Sequence, residues 1–315
     1  MSIMREDEIQ VVRTLEYNAN LSATEIARQL NYKEAHVRKI IEGLHERGVL
    51  RQKKAFINLF ALGLTDYTFF MQSSGSATSD TWSAIAQFPK NPKVFWMASF
   101  IGEYQFALAL FGKQPIDVAL TIDELLSQVD VSISRKDLSV RIHFTALGRR
   151  YLGKRPTPEL VYSFPRTQQE YDDTDLVIIQ RLSTGSFDSV RSLSKELDIP
   201  LATLSRRIQR LEDTKIIGGY YQWVSAHYFG VREYRLLISI ANNHKAIRKG
   251  IAQLCERIPQ ITFLVNCIGA WECEIGCDVA SYQELLRIID EVYKIDPKNV
   301  VNIRVLEVIS HLKTA

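Results

Sequence analysis

The 315-residue sequence predicts an α+β protein built from two tandem copies of one module. Each copy is a winged helix-turn-helix followed by a ferredoxin-like β-α-β-β-α-β domain, and the two form an intramolecular pseudo-dimer. Three observations predict this. Residues 1–146 and 173–313 are one sequence written twice in divergent form, in register at a spacing of 167. Arg38-Lys39-Ile40-Ile41-Glu42-Gly43-Leu44 falls on Ser205-Arg206-Arg207-Ile208-Gln209-Arg210-Leu211, and Ile101-Gly102-Glu103-Tyr104 falls on Ile268-Gly269-Ala270-Trp271. Each copy opens on three short helical periodicities and closes on strand-like segments alternating with two helices. A period this long marks a duplicated globular module, since solenoid repeats run roughly 20–50 residues.

The elements follow in order. Ile9, Val12 and Leu15, matched by Leu176, Ile179 and Leu182, give a one-sided apolar stripe for a first helix. Ser22-Ala23-Thr24-Glu25 is a capping box that starts a second helix, and Ser189 holds the same position in the second copy. A tight connection follows, Asn31-Tyr32-Lys33 or Asp198-Ile199-Pro200, the proline sitting where a new helix tolerates one. The third helix has core positions Val37, Ile41 and Leu44 in the first copy and Leu201, Leu204, Ile208 and Leu211 in the second. Three helices with this turn read as a helix-turn-helix. The β-prone stretches Ala55–Ile57 and Tyr220–Trp223 read as wings.

Beyond each wing the period changes from helix to strand. Strands are predicted at Tyr67–Ser73, Val94–Phe100, Glu103–Phe111 and Leu138–Phe144, with helices at Thr81–Phe88 and Pro115–Gln128. The second copy repeats the order: strands at Tyr234–Ile240, Ile261–Cys267, Ala270–Asp278 and Val300–Ile309, helices at Lys245–Arg257 and Tyr282–Tyr293. Helices on one face of such a sheet leave the other face to be covered, and the sister sheet is its natural cover. The expected divisions are 1–62 and 173–229 for the helix-turn-helix segments, 63–146 and 230–315 for the ferredoxin-like domains, and 147–172 for a linker. Gly153–Glu170 carries Pro156, Pro158 and Pro165 among polar residues and reads as semi-rigid.

Composition sets the outer bounds. With 46% hydrophobic and 24% charged residues the chain reads as an ordinary globular protein. No apolar run reaches the roughly 18 residues of a membrane span, and the acidic N-terminal segment is unlike a signal peptide, so a cytoplasmic, nucleoid-associated place is expected. The net charge of +3 argues little for a nucleic-acid partner; a local basic face matters more. Cys255, Cys267, Cys273 and Cys277 lack paired C-x2-C spacing, and Phe100, Phe106 and Leu110 stand opposite the last three. They read as buried small side chains, with no metal and no cofactor expected.

The exposed face of the third helix carries the functional signal. It presents Lys33, His36, Arg38 and Lys39 in the first copy, and Thr203, Ser205, Arg206, Arg207, Gln209 and Arg210 in the second. Arginine reads base edges in the major groove, while Thr, Ser and Lys serve mainly phosphates. Arg149, Arg150, Lys154 and Arg155 at the start of the linker are further candidates for backbone contact.

These residues resemble the Lrp/AsnC (feast/famine) transcription regulators. The second copy carries the resemblance best, in Leu201-Ala202-Thr203-Leu204-Ser205-Arg206-Arg207-Ile208-Gln209-Arg210-Leu211-Glu212, then Ile216-Ile217-Gly218-Gly219-Tyr220 and Gly230. The resemblance spans nearly the whole chain outside 147–172, as two fused copies where the family usually has one. It implies double-stranded DNA as partner, sheet-to-sheet dimerisation, homo-oligomers of the tandem chain, no membrane partner and no catalysis. It also implies an amino-acid effector near a Gly-x-Tyr-Asp segment, here Gly102, Tyr104 and Gln105 in one copy and Gly269, Trp271 and Glu272 in the other. Gln105 lacks the carboxylate that would meet an effector's ammonium group. Lys215 replaces the glycine that usually ends the recognition helix, at a left-handed cap position. Two other readings stand beside this one: an architectural nucleoid protein, and an enzyme like the siroheme decarboxylases, which also pair Lrp/AsnC-like halves. The six histidines show no duplicated pair at the 167 spacing.

Overall fold

A computed structural model describes residues 4–74, 79–130, 132–153, 160–163, 169–185, 189–242 and 244–314. The helices and strands, in chain order, are α1 (Glu6–Leu15), α2 (Ala23–Leu30), α3 (Glu34–Glu46), β1 (Leu50–Ile57), β2 (Thr65–Ser73), α4 (Ser79–Ile85), β3 (Val94–Ile101), β4 (Phe106–Gly112), α5 (Pro115–Ser127) and β5 (Ile133–Ala146). After β6 (Leu160–Ser163) the order repeats as α6 (Asp173–Thr184), α7 (Val190–Glu196), α8 (Leu201–Asp213), β7 (Ile217–Val224), β8 (Arg232–Ile240), α9 (His244–Arg257), β9 (Ile261–Gly269), β10 (Cys273–Val279), α10 (Tyr282–Tyr293) and β11 (Val300–Lys313). The chain forms two compact units, each drawing on both copies. Residues 1–62 and 145–231 make the helix-turn-helix unit, and residues 63–144 and 232–315 make the sheet unit.

In the helix-turn-helix unit the predicted caps are in place. Ser22 accepts from the Glu25 amide while Glu25 returns a bond to Ser22, and Ser189 accepts from the Ser192 amide. The turn between second and third helices rests on left-handed Asn31 and Asp198, residue types that tolerate that conformation, and Lys215 is left-handed as expected. The segments read as wings are β1 and β7, which pair with each other in antiparallel register, Lys53 opposite Gln222 and Ala55 opposite Tyr220. Each strand lies against the neighbouring copy: β1 packs on α6, and Val224 of β7 is buried with Val11, Val37 and Leu44 of the first copy. Pairing covers one edge of each strand in a two-stranded sheet.

The core of α3 departs from the periodic reading. Ile40 is buried, and Ile41, expected inside, is only half buried. At 100° per residue the two positions are neighbours on the helix, and the face packed on the rest of the bundle is turned towards Ile40. The linker is less free than its composition suggests. Arg149 is buried with its guanidinium on the Glu16 carboxylate at 2.6 Å, so it is no candidate for DNA contact. Tyr162 packs on Phe60 at 4.5 Å between ring centroids, and the Asn58 side chain donates to the Ser163 carbonyl. Lys154, Arg155, Pro156, Pro158 and Pro165 lie outside the described residues.

The sheet unit is a closed ring of eight strands in the order β2-β4-β3-β11-β8-β10-β9-β5, with β5 pairing back onto β2. Each copy contributes four neighbouring strands in the ferredoxin-like order, and each copy's second strand meets the other copy's last strand, as β3 meets β11. The third strands begin later than expected, at Phe106 and Cys273, because the Gly-x-aromatic segments before them form turns. Alternation divides the side chains. Tyr67, Phe69 and Met71 pack beneath the helices with Val118 and Leu125, whereas Phe70, Phe100, Tyr104, Leu237, Val265, Trp271 and Leu306 fill the ring's interior from both copies. The pseudo-dimer is therefore one barrel with a shared core. All four cysteines are buried free thiols, and burial pushes the Cys267, Cys273 and Cys277 thiols up.

Candidate nucleic-acid interface

The exposed faces of α3 and α8 hold the predicted contact residues in three different states. Lys39 and Arg206, counterparts at the 167 spacing, are both exposed and have no hydrogen-bond or ion-pair partner among the described residues. Lys33 and Ser205 are also exposed, and Thr203 is half buried. Arg38 and His36 are engaged within the first copy. Arg38 pairs with Glu34 at 2.6 Å one turn back, and His36 Nε2 lies 2.9 Å from the Asp7 carboxylate. Arg38, and next the Thr24 hydroxyl, hold the Glu34 carboxyl below its usual range.

Arg207 and Arg210 form the third group. Arg207 Nη1 reaches the Asp172 carboxylate at 2.8 Å and Asp175 at 2.9 Å, and Arg210 also pairs with Asp175. Asp175 is fully buried and Asp172 is the N-cap of α6, so these contacts fasten α8 to the start of α6. The Asp172 carboxyl lies below its usual range, first through the Asp175 amide and then through Arg207. In the first copy the position of Arg207 is taken by buried Ile40. Arg207 is thus a clamp between helices, and a reader of bases only if it lets go of Asp172. A pocket of about 230 Å³ lined by Asp172, Arg206, Arg207 and Arg210 opens beside this clamp.

The segments expected to meet an effector join the two copies. Gly102 and Gly269 adopt φ of +142° and +141°. A side chain on Gly102 would meet the Val305 carbonyl and Leu306, and one on Gly269 would meet the Leu138 carbonyl, in each case the sister copy's last strand. Tyr104 and Trp271 are fully buried, 6.0 Å apart between ring centroids, with the Tyr104 hydroxyl donating to Asp137 and the Trp271 indole to Glu274. At the position of the family's aspartate, Gln105 accepts from the Ser73 amide and Glu272 from the Ile240 amide, at 2.9 and 2.6 Å. Ser73 and Ile240 are themselves counterparts. An amide oxygen and a carboxylate oxygen do the same work of ending the first strand of each sheet.

Sequence reasoning missed a set of charges inside the barrel. Asp66, Arg141, Arg235 and Glu274 are all buried there, with Arg141 on Asp66 at 3.0 Å and Arg235 near Glu274 at 3.4 Å. Burial raises the Asp66 carboxyl to about 6 despite Arg141 beside it, and lowers the Arg235 guanidinium to about 10. The signal was present: Glu233 and Arg235 alternate with Tyr234 and Leu236 along a strand whose inner face should be apolar.

Comparison with known proteins places these features in context. No family model matches the chain. An uncharacterized HTH-type transcriptional regulator of Pyrococcus furiosus is 27% identical over 127 residues, which is 40% of this chain and 84% of the relative. A second from Pyrococcus horikoshii is 24% identical over the same length. Among solved structures, the siroheme decarboxylase NirDL superposes over 98% of this chain and 92% of its own with a TM-score of 0.60 at 11% identity, a likeness of fold along the whole tandem arrangement. Escherichia coli AsnC aligns over 45% of this chain and 94% of its own at 20% identity, with a TM-score of 0.38.

Proposed function

We propose that this chain, a tandem-duplicated protein of the Lrp/AsnC type, is a sequence-specific DNA-binding regulator of transcription that touches its site through α3 and α8. The observation that carries this reading is the pair Lys39 and Arg206. Two helices, each following a helix-turn-helix connection, hold an exposed, unengaged cation at the same position. Lys33, His36, Arg38, Thr203 and Ser205 flank these two cations, and Arg207 and Arg210 act on DNA through the fastening of α8. The HTH-type regulators among the relatives support the assignment. A chromosomal regulator belongs in the cytoplasm, and among the described residues no helix is long and apolar enough to cross a membrane.

Whole chains pair further in this reading, and the isoleucines at counterpart positions, Ile101 and Ile268, are 64% and 60% exposed. Light scattering tests this: a 36 kDa species at all concentrations speaks against it. No catalytic role is assigned. The fold shared with a siroheme decarboxylase supports an enzyme only by architecture, and a tetrapyrrole absorbance band in the purified chain would establish that alternative. Gel-shift titration of genomic fragments tests the main reading: a small set should bind about a thousandfold or more above the rest.

A further inference from the structure

The second copy's α8 borders a cavity for which the first copy has no equivalent set of residues. Asp172, Arg206, Arg207 and Arg210 line a space of about 230 Å³. The counterparts of the three arginines, 167 positions earlier, are Lys39, Ile40 and Gly43, so α3 offers one cation where α8 offers three. Two of the three are partly engaged. Arg207 gives Nη1 to the Asp172 and Asp175 carboxylates, while Arg210 gives Nη2 to Asp175 and Nη1 to the Glu170 carbonyl. Three guanidinium groups thus meet two carboxylates, which leaves a positive excess beside the cavity.

The clamp also leaves one edge of Arg207 unused. Its Nε is buried with no hydrogen-bond partner, and its Nη2 makes no hydrogen bond among the described residues. These two nitrogens are the side-by-side donors of the guanidinium fork, suited to two oxygens of one anion. Arg206 is exposed and has no hydrogen-bond or ion-pair partner among the described residues. A planar carboxylate answers one such fork. A terminal phosphate carries up to two negative charges and three tetrahedral oxygens, so it can meet the Arg207 edge and Arg206 together. At about 30 Å³ for each water-sized group, the cavity has room for those oxygens.

We infer that this cavity binds the terminal phosphate of a small phosphate monoester, held by Arg206 and the unused edge of Arg207. Arg210 adds charge while keeping its bond to Asp175. Arg206 is also the cation that α8 offers to DNA, so ester and DNA compete for this helix and the ester regulates the second copy alone. That competition rests on the DNA-binding reading; the binding of the ester does not.

Calorimetric titration of the full chain with phenyl phosphate and with benzoate, without DNA and at constant ionic strength, tests it. Saturable binding of phenyl phosphate is expected, at least tenfold tighter than that of benzoate. Arg207→Ile, which installs the first copy's residue, should abolish it. Arg206→Ala, at an exposed position, should weaken it at least tenfold and serves as the test if Arg207→Ile does not fold. Lys39→Ala, at the counterpart position, should leave phenyl phosphate binding unchanged while it weakens DNA binding. No saturable binding, equal binding of benzoate, or equal losses in Arg206→Ala and Lys39→Ala overturns the proposal. Loss of DNA affinity in Arg206→Ala with no binding of phenyl phosphate assigns the cavity to DNA backbone phosphates and overturns it too. Binding of phenyl phosphate by a chain that binds no DNA sustains the site and overturns the DNA-binding reading instead.

Discussion

Lys54 of β1 stands opposite Tyr221 of β7, its own counterpart 167 positions on. An antiparallel pair that matches a residue with its own copy places the approximate twofold axis of the helix-turn-helix unit between those two residues. The same relationship holds the two recognition helices in one body, since β7 completes the first copy's core and β1 packs on α6 of the second.

Lys39 and Arg206 should behave alike in kind and differ in specificity. Arg206→Ala is expected to lower affinity for the preferred site by about 1–3 kcal/mol if it reads a base edge. Lys39→Ala should weaken all sequences uniformly and reduce the salt slope by about one unit, as a phosphate contact does. Equal, sequence-independent losses at both positions would instead describe an architectural protein. Binding isotherms at three salt concentrations separate these outcomes.

Arg207→Ala should act first on stability. It removes the bonds to Asp172 and weakens the compensation of buried Asp175, which keeps Arg210 as its cation and the Asp172 amide as a donor. A loss of about 1–3 kcal/mol in urea unfolding is expected, with DNA affinity falling as the fold loosens. Full stability with lost sequence preference would make Arg207 a base reader.

Gly102→Ala and Gly269→Ala should both destabilise the sheet unit. Their φ values alone imply about 1–3 kcal/mol each, and the added methyl meets the sister copy's backbone in both cases. Unchanged thermal midpoints would contradict the close approach of the two copies at these turns.

Asp66 predicts a pH dependence of definite sign. Its folded pKa of about 6 lies above that of the unfolded chain, so the folded state holds the proton more tightly. The stabilisation is fully present below about pH 4 and is lost as pH rises through about 6, an effect of roughly 2–3 kcal/mol at most. Asp66→Asn should flatten this part of the stability profile and leave the protein at least as stable at pH 7. A slope between pH 4 and 6 that survives the substitution would refute the assignment.

Much of this architecture was legible in the sequence because it is written locally. Ser22 and Glu25 cap a helix three residues apart, Lys215 sits at a left-handed position, and the alternation of Tyr67, Phe69 and Met71 with Phe70 assigns two faces. What was not legible is the choice of partner. Nothing in the period of Leu50–Ile57 says that it pairs with Ile217–Val224, or that Val94–Ile101 meets Val300–Lys313, since a strand's pattern gives its faces and not its neighbour. The candidate interface was legible to the same depth. That Arg206 and Arg207 lie off the packed face follows from helical phase, but the engagement of Arg207 depends on Asp172 and Asp175, more than thirty residues earlier in the chain. The buried charges of the barrel were hidden for the same reason, because Asp66 and Arg141 meet only once the ring closes.

The central claim is that one chain reads DNA through two unlike helices. His36 stands where the second copy has Thr203, Arg38 where it has Ser205, and Ile40 where it has Arg207. Identical helices favour palindromic half-sites about one helical turn apart; unlike helices favour an asymmetric site. Footprinting of a selected minimal site, with each half-site inverted in turn, tests this most directly. The account predicts that inverting one half-site costs much more affinity than inverting the other. Affinity unchanged by either inversion, or tightest binding of a perfect palindrome by a single chain, would contradict it.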